Sequence, residues 1–135
     1  MLQRQEWKIG THTAWFEPPD ALWLKVRGIT TQEDAIALLE VYREVGGQQP
    51  VFLVTDLSQA TFVDMKARDH IAWNTRVEWL LGSIYIGGGL VQKAVANSMT
   101  FLHSITASAS VSLHFVSSEQ EARALLDKER ALKHP

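Results

Sequence analysis

Val51-Phe52-Leu53-Val54-Thr55-Asp56-Leu57 is a nearly continuous run of β-branched, aromatic and aliphatic residues, introduced by Pro50. A strand with one solvated face alternates apolar and polar residues. This stretch does not alternate until Thr55, so it reads as a strand covered on both faces and placed centrally in a sheet.

Working toward the N-terminus, Thr30 and Glu33 have the spacing of a capping box. Apolar residues then recur at Ala35, Leu38, Leu39, Tyr42 and Val45, the stripe of an amphipathic helix. Gly46-Gly47 is expected to stop it in the left-handed conformation open to glycine. Upstream, His12–Glu17 and Ala21–Arg27 read as two strands of an opening β-hairpin, joined through the turn residues Pro18-Pro19-Asp20. In the second strand Leu22, Leu24 and Val26 alternate with Trp23, Lys25 and Arg27, so Trp23 falls on the opposite face, where the pattern leaves room for exposure; Trp7, ahead of the hairpin, has similar room.

Toward the C-terminus, Ser58–Val63 reads as a loop and Asp64 to Leu81 as a second helix, with Asp64 as N-cap and Gly82 as stop. Ser83–Ile86 is a short strand closed by Gly87-Gly88-Gly89. Val91, Val95, Met99, Leu102 and Ile105 mark a third helix, and Val111–Val116 a last strand. Ser118 and Glu121 form a second capping box that opens a final helix carrying Ala122, Leu125 and Leu126. The order β-β-α-β-α-β-α-β-α predicts one α/β domain over residues 1–135, with a mixed sheet that is parallel after its opening hairpin.

Composition excludes several functions. Hydrophobic residues make up 46% and charged residues 21%, a composition that folds rather than one that stays disordered. The net charge is −2 with no basic stripe, so nucleic acid is not an expected partner. No cysteine is present, which removes thiolate chemistry and Cys-ligated zinc. No run approaches the roughly 20 apolar residues of a membrane-spanning helix, and Met1–Lys8 lacks an apolar leader core; a cytoplasmic location is expected.

The segment Phe52–Asp64, with Asp56-Leu57-Ser58 closing a strand and an apolar pair leading to an Asp that opens a helix, resembles the central segment of STAS domains, the SpoIIAA-like family of anti-anti-sigma factors. Arg27-Gly28, the Thr30/Glu33 helix start, and Ser117–Ala122 followed by Leu125-Leu126 resemble the family's ends. The resemblance implies a SpoIIAA-like fold and a regulatory role through protein contacts. It departs at one position: the serine that a partner kinase phosphorylates in anti-anti-sigma members is Met65 here, followed by Lys66 and Ala67. A thioether accepts no phosphoryl group. The chain is therefore closer to the divergent SpoIIAA-like branch grouped with SEC14-type (CRAL-TRIO) lipid-binding folds, for which the resemblance implies fold alone.

The residues themselves offer few reactive groupings. Asp56 closes the central strand, where α/β folds keep their sites, but the acidic pair and lysine of a phospho-accepting receiver are missing at Arg27-Gly28-Ile29 and Val116-Ser117-Ser118. An Asp that caps loop amides is the simpler reading. Gly87-Gly88-Gly89 is followed by neither phosphate-binding fingerprint. His12, His70, His103, His114 and His134 include no pair at helical metal-ligand spacing. No catalytic residue, metal or cofactor is expected. Ser58, Phe62, Asp64, Met65, Lys66 and Arg68 combine polar and apolar groups suited to binding a partner or ligand. The leading expectation is a non-enzymatic binding or regulatory module. The alternative is a carrier or sensor holding an apolar small molecule or lipid in a pocket walled by Trp15, Trp23, Trp73 and Trp79. Edge strands and exposed aromatic residues are also compatible with a homodimer.

Overall fold

The computed structural model describes residues 3–87 and 112–133. In chain order the elements are β1 (Gln5–Ile9), β2 (His12–Glu17), β3 (Ala21–Thr30), α1 (Gln32–Gly46), β4 (Val51–Val63), α2 (Met65–Asn74), a single 3-10 turn (Val77–Trp79), β5 (Leu80–Ile86), β6 (Ser112–Val116) and α3 (Glu119–Lys133). The expected third helix, Gly88, Gly89, His103 and His134 lie outside the described residues.

Among the described residues six strands form one sheet in the order β1-β2-β3-β4-β5-β6. β1/β2 and β2/β3 pair antiparallel, and every later pair is parallel. The sheet is mixed, as the sequence predicts. β1 was not expected: Gln5, Glu6 and Lys8 are polar and exposed, and only Trp7 and Ile9 supply an apolar face, a pattern too short to read as a strand without its partner.

Both faces of the sheet are covered. Leu22, Leu24, Val26, Leu53 and Leu57 point to one side, where they pack with Ala35, Leu38, Val41, Tyr42 and Val45 of α1 and with Ala67 and Ile71 of α2. Trp23, Phe52, Val54, Ile84 and Ile86 point to the other, against Ala122 and Leu126 of α3. The double coverage read from Val51–Leu57 is thus real. It also corrects the expectation for Trp23, which is 1% exposed because α3 lies over its face.

Helix ends follow local chemistry. At the start of α1, Thr31 Oγ1 accepts from the Asp34 N–H and Asp34 Oδ2 accepts from the Thr31 N–H, one residue later than the Thr30/Glu33 box predicted. At α3 the Glu121 N–H donates to Ser118 Oγ, while the Glu121 carboxylate accepts from the Ser117 N–H and hydroxyl. α2 ends well before Leu81 because Asn74 and Thr75 turn their side chains onto the carbonyls of His70 and Ile71, at 2.8 and 2.6 Å, in place of further helical turns. Gly82, expected to stop that helix, is buried in the middle of β5.

Gly46 and Gly47 have a different reason from the one expected. Gly47 is right-handed (φ −70°), so no left-handed cap is present. A Cβ on Gly46 would stand 2.4 Å from Trp79 Cβ, so a bare Cα there lets the 3-10 turn press against α1.

Candidate functional site

Ser58–Val63 is strand rather than loop, and the way β4 accommodates it builds the site. From Lys25 to Arg27 on β3 the chain advances two residues, while the paired β4 positions advance three, from Asp56 to Gln59. The same happens again between Gly28/Ala60 and Ile29/Phe62. β4 thus takes in two extra residues as bulges, which re-aim the side chains that follow. At the first bulge Asp56 Oδ1 accepts from the Ser58 N–H at 2.9 Å, the amide-capping role expected of Asp56 from the sequence. On β3, Gly28 follows the strand's irregularity with φ +74°, a value that disfavours a side chain.

Beyond the second bulge, Ile29 and Phe62 sit opposite one another on adjacent strands, each 57% exposed. Met65, the first residue of α2, is 63% exposed. Ile29 and Phe62 are therefore adjacent exposed apolar residues at the ends of the parallel strands, and exposed Met65 follows at the start of α2. Asp64 occupies the N-cap position but makes no side-chain cap hydrogen bond. Lys66 is exposed, and among the described residues neither it nor Asp64 has an ion-pair partner. Arg68 lies one turn on, 3.8 Å from Asp69. Ser58 is exposed at the first bulge, ahead of Phe62 and Met65 in the chain. Sequence reasoning missed Ile29, because Gly28 looked like the end of its strand; the alternation of β3 carried past Gly28 was the available signal.

The four tryptophans proposed as pocket walls do not share a cavity. Trp15 and Trp23 stack on one face of the sheet, with ring centroids 5.7 Å apart and planes within 6°. The Arg123 guanidinium covers Trp23 at 4.5 Å from the ring centroid and is itself held by both carboxylate oxygens of Glu17. Trp79 packs into the core on the opposite face, and Trp73 projects from α2 at 67% exposure. The sheet separates the two groups, which is why the expected pocket is not assembled.

A second constellation was not visible in the sequence. His12 is 3% exposed and sits between β3 and the start of α1. Its Nδ1 accepts from the Arg27 N–H at 3.0 Å, so the proton of the neutral ring is on Nε2, which faces Thr30 Oγ1 at 3.3 Å and Asp34 Oδ2 at 3.4 Å. Histidine, hydroxyl and carboxylate are together, but not in order of a relay. Hydroxyl and carboxylate share one nitrogen, and the lone pair a general base needs is occupied by a backbone N–H. The adjoining cavity, lined by Leu24, Val26, Leu38, Leu57 and Ile71 among others, has a volume of about 20 Å³, room for one water and not for a lipid. His12 here is a structural link between β2, the irregular end of β3 and α1.

His114 is likewise engaged, with Nε2 2.5 Å from Glu129 Oε1 of α3. Among the described residues no group of three or more His, Asp or Glu side chains is placed to hold a metal ion, and no helix is long and apolar enough to cross a membrane.

No protein-family model and no curated protein matches this chain. Solved structures do. The anti-sigma factor antagonist SpoIIAA in its unphosphorylated form superposes with a TM-score of 0.60 at 10% identity, covering 93% of this chain and 98% of its own. An uncharacterised protein of the DUF3478 family with a SpoIIAA-like fold, from Shewanella loihica PV-4, superposes with a TM-score of 0.57 at 14% identity, covering 92% of each chain. The fold is SpoIIAA-like, of the STAS type, as the resemblance in the central segment implied.

Proposed function

We propose that this chain, acting as one domain, is a non-enzymatic STAS-type regulatory module that works in the cytoplasm through protein contacts made at the α2 end of its sheet. The observation that carries the reading is the exposure of the large apolar residues Ile29, Phe62 and Met65 near the junction of β4 and α2, a stretch that also carries the charges of Asp64, Lys66 and Arg68. Large apolar side chains gathered at one place and ringed by polar ones are the composition of a protein-docking surface. The fold adds support: it is shared with a protein described as an anti-sigma factor antagonist. With methionine at the first position of α2, the surface has no hydroxyl there to be switched by phosphate, so regulation by this module rests on occupancy of the surface itself.

Native mass spectrometry on the full chain isolated gently from its own cells tests this. A co-isolated protein is expected with the unaltered chain and lost with Phe62→Ala or Lys66→Glu. An association that survives both substitutions unchanged would place the contact elsewhere. An added mass of a few hundred daltons without a protein would instead favour a small-molecule carrier.

A further inference from the structure

We propose that the free protein covers this surface with a second copy of itself, in an isologous dimer whose two-fold axis runs beside Met65. The proposal rests on the reading of the α2 end as the docking surface and names its occupant when no other partner is bound.

Asp64 and Lys66 flank Met65 on either side, carry opposite signs, and have no ion-pair partner among the described residues. Arg68 and Asp69 add one more charge of each sign to this end of α2, so the stretch 64–69 holds two of each. In an isologous contact residue i of one copy meets j of the other, and j meets i. A surface of one sign repels its own copy under that operation. This one is complementary to itself: Asp64 of each copy meets Lys66 of the other, giving two ion pairs astride the axis. The same rotation brings Met65 onto its counterpart and lays Ile29 and Phe62 against the partner's apolar side chains, removing three exposed apolar groups from water.

Charge complementarity also separates a second copy from a different partner. A heterologous protein has its own charges fixed, so exchanging the signs at residues 64 and 66 breaks its contact permanently. A second copy carries the exchange with it. Asp64→Lys or Lys66→Glu alone turns both ion pairs of the dimer into repulsions, whereas the double exchange rebuilds them with the signs reversed.

Sedimentation velocity on the full chain over a wide range of concentration is the test. The unaltered protein is expected to show a concentration-dependent dimer. Each single charge exchange should raise the dimer dissociation constant about tenfold, the double exchange should return it to within about threefold of the unaltered value, and Met65→Asp should abolish it. These side chains are exposed or half-buried, so the variants fold; circular dichroism checks that they do. A monomer at every concentration, a dimer indifferent to these substitutions, or a double exchange that fails to restore association would each overturn the proposal. The docking reading fails differently: it falls if a co-isolated partner ignores Phe62→Ala and Lys66→Glu, and it stands if a monomeric chain loses that partner in the single exchanges and does not regain it in the double.

Discussion

Replacing Gly46 by alanine sets two opposing effects against one another in α1. Alanine is the better helix former by about 0.8–1 kcal/mol, and an exposed helical glycine would gain that amount. Gly46 is buried, however, and the new Cβ would stand 2.4 Å from Trp79 Cβ, 2.8 Å from its Cγ and 3.2 Å from its Cα. Ordinary carbon contacts lie at about 3.5–4.0 Å, so the 3-10 turn would have to retreat by about an ångström. The obstructing atoms are the root of the tryptophan side chain and its backbone, which no rotamer change can move aside. Overpacking costs about 1–3 kcal/mol, and a contact of 2.4 Å with atoms that cannot turn aside puts this site at about 2–3, so Gly46→Ala is expected to lose about 1–2 kcal/mol net, lowering Tm by roughly 3–8 °C for a chain of this size. Urea unfolding followed by circular dichroism measures the loss. Ala37→Gly, at an exposed position of the same helix, calibrates the propensity contribution. A Gly46→Ala protein as stable as the unaltered one, or more stable, would refute the close-approach account of this glycine.

His12→Ala removes the acceptor for the Arg27 N–H and empties a buried ring position; a loss of about 2–4 kcal/mol in urea unfolding is expected, and a loss below 1 kcal/mol would mean that the link between β2, β3 and α1 contributes little. A double-mutant cycle on Glu17→Ala and Arg123→Ala should give a coupling of only about 0.5–1 kcal/mol, despite two hydrogen bonds at 2.9 and 3.1 Å, because Arg123 is more than a third exposed and solvent screens the pair. Burial, followed by the nearby Tyr85, pushes the Tyr42 phenol well above its ordinary value. Its unfolded-state pKa is about 10, so stability is fully present below that pH and is lost as pH rises beyond it. In a Tyr85→Phe background, tyrosinate absorbance at alkaline pH should appear together with the loss of the far-ultraviolet signal. Tyrosinate formed in the folded chain would contradict the burial.

The parts of the fold that the sequence displayed are those fixed by local chemistry. The run Val51–Leu57 announced a strand covered twice, and Ser118 with Glu121 marked the start of α3 because those contacts span a single helical turn. What stayed hidden depends on partners distant in sequence. β1 is a polar edge strand that becomes one by pairing with β2. Ser58 and Gln59 look like loop residues because a bulge frees their side chains from the sheet's alternation, even though the backbone continues through it. The candidate surface was legible in part: Phe62, Asp64, Met65 and Lys66 stand within five residues of one another, whereas Ile29 joins them only through the register of β3 on β4. Trp15 and Trp23 were drawn into an imagined cavity because composition carries no information about which side of a sheet a residue occupies.

The sheet order β1-β2-β3-β4-β5-β6 also bears on how the chain is made. Each described strand lies beside the described strand synthesised just before it, so none of them has to wait for a later strand and then wedge between two already paired neighbours. A nascent chain leaving the ribosome N-terminus first can add each of these strands to a growing edge in the order of its emergence, the exposed template always being the newest strand. α3, which is made after all the strands described above, supplies the cover for Trp23, Phe52 and Ile84, so until it emerges these side chains lack that cover. Ribosome-bound chains truncated before Glu119 should therefore be the species that chaperones hold.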